Sequence, residues 1–108
     1  MEQIYSIEKL RDAIKNSPIV LVYFSAPYCN VCKVLKPKII ELFFKYQEVK
    51  TIYVDLEQLK EASGEYSVFS LPTILVFIEG KEYLRESRNI SLYEFEEKVQ
   101  RYYSLFYS

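Results

Sequence analysis

Hydrophobic and polar positions along the chain alternate between two rhythms. Ile7, Leu10 and Ile14 recur at helical spacing after Ser6, a residue suited to cap the first turn. Ser17-Pro18 ends that helix, because the residue before a proline is pushed out of helical backbone. "IVLVYF" (19–24) is β-branched and aromatic without polar alternation, the pattern of a strand buried on both faces. Val34, Leu35, Ile39, Leu42, Phe43 and Tyr46 then outline a long helix with Pro37 inside it, where the missing donor predicts a kink.

The second half repeats the alternation. Residues 50–56, "KTIYVDL", read as a strand, and "EQLKEAS" (57–63) as a short helix stopping at Gly64. "TILVF" (73–77) is another buried strand. Glu79-Gly80 turns it tightly into "KEYLRE", whose exposed charges suit a sheet edge. Ser91 and Glu94 have the spacing of a capping box, and Leu92, Phe95, Val99, Tyr102 and Tyr103 continue a last amphipathic helix. The order is α, β, α, β, α, β, β, α, with a short extra strand near residues 3–5. Crossover helices make the first two main strands parallel, and the closing hairpin is antiparallel. The expected class is therefore α/β: a central mixed sheet of four to five strands flanked by four helices.

Composition adds limits. At 108 residues, half of them hydrophobic, the chain can build one core, and a single domain over 1–108 is expected. Fourteen basic and fifteen acidic residues leave a net charge of -1 with no block of one sign, which argues against nucleic acid and anionic lipid as partners. "MEQIYSIEKLRDAI" has neither a basic start nor an unbroken apolar run, and no later run approaches 18 apolar residues. A cytoplasmic protein with no membrane partner, working as a monomer, is the expectation.

Cys29-Asn30-Val31-Cys32 lies between the first buried strand and the long helix. In a reducing compartment such a pair is catalytic or metal-binding more often than a staple, and a four-residue loop would stabilise by only about 2 kcal/mol. At the helix N-terminus, free N–H groups and the dipole favour an anion, so Cys29 is the candidate nucleophile, with a thiol pKa lowered from its free value. Cys32, almost a turn further in, is more shielded. Residues i and i+3 on one helical face can reach disulfide distance. Two other readings stay open: a small apolar pair in a core, and half of a metal site shared by a dimer. With no histidine and no third cysteine, one chain cannot supply a Cys/His set. Lys33, Lys36 and Lys38 either support a thiolate or form a solvated helix face. Eleven tyrosines and seven phenylalanines mostly fill a core that lacks tryptophan, with "YYSLFY" also a candidate partner surface.

Over nearly its whole length the sequence resembles the thioredoxin family. The likeness rests on "IVLVYF", Tyr28 directly before Cys-x-x-Cys, Lys33 after it, Pro37, Asp55 closing the next strand, Leu71-Pro72-Thr73 before "ILVF", and the Glu79-Gly80 turn. The resemblance implies a thioredoxin fold and dithiol–disulfide exchange with protein substrates. Cys29 attacks, Cys32 resolves the mixed disulfide, and a Cys29–Cys32 disulfide results. It also implies a cis Leu71-Pro72 bond facing the cysteines, with Tyr28, Leu71 and Pro72 meeting substrate. No cofactor and no metal are implied, and an upstream thiol reductase would supply electrons.

Departures from the family pattern are specific. Trp-Cys-Gly-Pro-Cys is replaced by Tyr28-Cys29-Asn30-Val31-Cys32, and Ser25 stands where another tryptophan is usual. The family's buried aspartate is Tyr23, and its partner lysine aligns with Thr51; with Pro37 these form the expected surroundings of the pair. A phenol of reference pKa near 10 is no base at neutral pH. Arg88 falls where the family has a glycine beside the substrate surface. The rival to the enzyme is a thioredoxin-fold binding module whose cysteine pair does no catalysis.

Overall fold

The two rhythms become, in the computed structural model, a mixed sheet with helices on both faces; the structure describes residues 1–107. The elements are β1 (Glu2–Gln3), α1 (Ile7–Asn16), β2 (Ile19–Ser25), α2 (Asn30–Phe43), β3 (Val49–Asp55), α3 (Glu61–Tyr66), β4 (Thr73–Ile78), β5 (Lys81–Ser87) and α4 (Leu92–Tyr107). The sheet order is β1-β3-β2-β4-β5. β2 pairs parallel with β3 and antiparallel with β4, and β5 closes the sheet antiparallel to β4.

All seven residues of β2 are buried because each face of the sheet carries its own core. Val20, Val22 and Phe24 point to one face, against Ile7, Leu10 and Ile14 of α1 and Ala62 of α3. Ile19, Leu21 and Tyr23 point to the other, against Cys32, Ile39 and Phe43 of α2 and Phe95 and Val99 of α4. Neither face of β2 meets water, so its sequence has no polar alternation.

Local chemistry sets the ends. Ser6 Oγ accepts the Lys9 N–H at 3.3 Å and Ser91 Oγ accepts the Glu94 N–H at 3.3 Å, each capping the first turn of its helix. Glu79 and Gly80 take φ of 52° and 81°, and Ile78 pairs with Lys81 across them, as a two-residue hairpin turn of the primed type requires. Tyr102 and Tyr103 of the aromatic C-terminal run pack on the second core, while Leu105 is exposed. The Tyr103 O–H donates to the Glu48 carboxylate, which pushes the phenol pKa up to about 12.

The third helix differs from expectation. Residues 56–58 turn the chain around Asp55, whose side chain accepts the Glu57 N–H at 2.8 Å and whose carbonyl accepts the Leu59 N–H at 2.9 Å. α3 starts later and runs through Gly64 instead of stopping there. The stop is Ser67, left-handed at φ 54°, with the Val68 N–H returning to the Ser63 carbonyl at 2.9 Å. That six-to-one bond closes the helix end, so glycine was not needed to do it.

Candidate active site

The C-terminal end of β2 delivers the chain into a tight turn, in which the Cys29 N–H donates to the Ala26 carbonyl at 3.0 Å. Cys29 is thereby the N-cap residue of α2. Its Sγ accepts the Cys32 backbone N–H at 3.2 Å, one of the donors that a helix start leaves without an intrahelical partner. The two cysteines are joined as a disulfide with Cα atoms 5.3 Å apart. Cys32 is 1 % exposed, whereas Cys29 is half-buried and borders a surface groove.

Across from the pair, the Leu71–Pro72 peptide is cis, and Pro72 is buried at the entry to β4. Leu71 is half-buried and its backbone makes no hydrogen bond to the described residues. Between the two loops lies a groove of about 460 Å³ lined by Tyr28, Cys29, Asn30, Val31, Phe69, Ser70 and Leu71. The fold thus brings Tyr28, Cys29 and Leu71 together around one opening, with Cys32 and Pro72 behind them.

Beneath the pair, Tyr23 is fully buried on β2 and donates its O–H to the Cys32 carbonyl at 2.7 Å. Burial raises its pKa well above the ordinary tyrosine value. The phenol is neutral, and its proton is committed to the backbone of α2. Its neighbour across the parallel register is Tyr53, with ring centroids 6.1 Å apart, and the Lys36 ammonium stands 4.1 Å from the Tyr53 ring centroid. Sequence reasoning missed Tyr53 and the placement of Lys36; the parallel pairing of Tyr23 with Tyr53 was the signal that could have found them.

Thr51 is not part of this arrangement. The register sets it beside Leu21, one inward-facing position before Tyr53, and it lines a separate cavity with Met1, Ile40, Phe43 and Tyr46. A residue aligned to the family's lysine therefore need not sit opposite Tyr23. Pro37 is exposed within α2, more than a turn beyond Cys32. It removes the N–H that the Lys33 carbonyl would accept and does not line the opening.

Two further residues border the site. Arg88 has φ 64°, the left-handed region that favours glycine, and its N–H donates to the Pro72 carbonyl at 2.9 Å. Phe69 is 81 % exposed on the loop before Leu71, and Tyr28 and Val31 are 70 % and 62 % exposed on the opposite wall. The sequence marks Phe69 only as one of two apolar residues between Ser67 and Ser70.

A family model described as Thioredoxin matches residues 3–101. Thioredoxin-like protein YdfQ of Bacillus subtilis is 30 % identical over 106 residues, covering 98 % of this chain and 95 % of that protein. The thioredoxin of Chlamydia trachomatis is 37 % identical over 82 residues, 76 % of this chain and 79 % of that protein. Among solved structures, Fasciola hepatica thioredoxin superposes with a TM-score of 0.80 at 31 % identity, covering 94 % of this chain and 98 % of that one.

Proposed function

The chain belongs to the thioredoxin family, and from that membership we propose that it reduces disulfides of protein substrates, with Cys29 as nucleophile and Cys32 as resolving thiol. The observation that carries this reading is the placement of the pair. The Sγ of the less buried cysteine caps the start of α2 and receives an N–H there, while its partner is buried. A thiolate at Cys29 is stabilised by that N–H and by the helix dipole.

In the reduced protein the Cys29 thiolate attacks one sulfur of the substrate disulfide. A Cys29–substrate bond forms, the substrate S–S bond breaks, and one substrate thiolate leaves. Cys32 then loses its proton and attacks the Cys29 sulfur, which releases the second substrate thiolate and forms the Cys29–Cys32 bond. Two electrons have passed to the substrate, and an upstream thiol reductase returns two electrons to the pair. Leu71, with its backbone groups unpaired beside the cis peptide, offers hydrogen bonds to an extended substrate segment, while Tyr28 and Pro72 shape the opening. We place the protein in the cytoplasm, because a pair that must be returned to its dithiol state after each turnover needs a reducing compartment.

The binding-module reading draws on Tyr23, a buried phenol that cannot take the Cys32 proton. Dithiothreitol-driven reduction of insulin separates the two. The parent accelerates insulin reduction, Cys29→Ser abolishes the acceleration, and Cys32→Ser accumulates mixed disulfides on Cys29. Equal insulin reduction by the parent and both single variants would remove the oxidoreductase reading.

A further inference from the structure

Three large apolar side chains stand in water around the Cys29 sulfur: Tyr28, Val31 and Phe69, each more than 60 % exposed. Contiguous exposed apolar surface of this kind marks a contact site more often than chance placement does. The three belong to one groove with Cys29 and Leu71. A second hollow of about 410 Å³ adjoins it, sharing Tyr28, Phe69 and Leu71 and continuing over Leu56, Ser63 and Val68 to Lys60. Phe69 and Tyr28 therefore stand at the boundary of two adjoining hollows, one holding the reactive sulfur and the other lined by both apolar and polar groups, Lys60 among them.

Lys60 is exposed and forms no ion pair with the described residues. A segment whose half-cystine is exchanging with Cys29 must already occupy the first hollow. In extended form along Leu71, it carries its neighbouring residues into the second. What fits there is a bulky apolar side chain between Phe69 and Tyr28, followed by a carboxylate within reach of Lys60.

We infer that Phe69, Tyr28 and Lys60 make this protein selective for disulfides whose half-cystine is followed by an aromatic or large aliphatic residue and then an acidic one. The inference rests on the oxidoreductase reading above and adds the substrate class. Phe69 is the specificity-determining residue. Its ring is held in water in the free protein, so covering it with a substrate side chain removes apolar area that folding left exposed.

The test uses disulfide-linked homodimers of short blocked peptides, Gly-Cys-Phe-Glu, Gly-Cys-Gly-Glu and Gly-Cys-Phe-Lys. They are reduced by catalytic amounts of the full chain with dithiothreitol, and free peptide thiol is measured by chromatography. For the parent, kcat/KM is about tenfold higher with Phe than with Gly after the cysteine, carried mainly by KM, which is the scale of discrimination an apolar pocket achieves. Phe69→Ala brings that ratio close to one, and Phe69→Leu keeps most of it. Lys60→Gln lowers the preference for the Glu peptide over the Lys peptide and leaves the Phe-to-Gly ratio in place. A parent that reduces all three peptides equally, or a Phe69→Ala variant that slows all of them by one factor, overturns the selectivity and leaves the oxidoreductase reading standing. A parent that accelerates none of them, and does not reduce insulin, overturns both.

Discussion

Tyr23 joins the sheet to the redox helix by one bond. Its O–H reaches the Cys32 carbonyl at 2.7 Å from a fully buried ring, so it fixes the first turn of α2 against β2. The same burial that makes the bond strong keeps the phenol protonated, since a tyrosinate without a solvent shell is disfavoured. The raised pKa lies far above the working range, so between pH 6 and 9 Tyr23 neither gains nor loses a proton. The proton on Cys32 must therefore leave to solvent, and resolution of a mixed disulfide should rise with pH through the titration of Cys32 itself. Tyr23→Asp places a carboxylate there. It should speed resolution near pH 7 and flatten the pH dependence, while lowering stability because a buried acid has no cation opposite it; Tyr53 occupies that register position. Stopped-flow decay of a preformed mixed disulfide from pH 6 to 9, in parent and variant, gives the answer. A parent whose decay is already fast and independent of pH would mean another group accepts the proton.

At the scale of elements, α3 separates what a sequence pattern can reveal from what it cannot. Glycine after a short polar-apolar run reads as a helix stop because glycine so often takes the left-handed position there. Here Ser67 takes it at φ 54°, and Gly64 lies inside the helix, where a Cβ would meet nothing within 4 Å. The left-handed residue was chosen by the return of Val68 onto Ser63, a contact between backbone groups that no side-chain pattern records. Gly64→Ala distinguishes the two cases by sign. Inside a helix it should stabilise by about 0.5–1 kcal/mol, through lower entropy of the unfolded chain and better helix propensity. The midpoint of thermal unfolding should then rise by about 4 °C or more per kcal/mol. A fall in the midpoint would put Gly64 back at the helix end. The hairpin and the caps were legible because their signals are local: Glu79-Gly80 needs positive φ, and Ser6 and Ser91 need only reach two or three residues ahead. Cys29 was legible as lying near a helix N-terminus for the same reason, while its N-cap bond and the places of Tyr53, Lys36 and Phe69 depended on register and loop geometry, which the sequence does not print.

Across the whole molecule, the sheet is a shared wall between two cores, one under α1 and α3 and the other under α2 and α4. The cysteine pair belongs to the second through Cys32, yet β2 supplies side chains to both, so neither can loosen without the other losing its floor. This predicts one cooperative unfolding unit over the chain. Leu10 of α1 and Phe95 of α4 are each fully buried, on opposite faces. Leu10→Ala should cost about 2–5 kcal/mol and Phe95→Ala about 3–5 kcal/mol, from lost burial and the cavity left behind. Because the two sites share no core cluster, the double variant should lose close to the sum, provided it still folds. Denaturant unfolding followed both by tyrosine fluorescence and by far-ultraviolet circular dichroism should give coincident single transitions for each single variant, shifted to lower midpoint with the slope unchanged. If Leu10→Ala instead produced two transitions, with thiol accessibility at Cys32 in the reduced protein tracking only the second, the α1 face would be unfolding as a separate unit. The sheet would then not couple the two cores, and the redox face would owe its order to α2 and α4 alone.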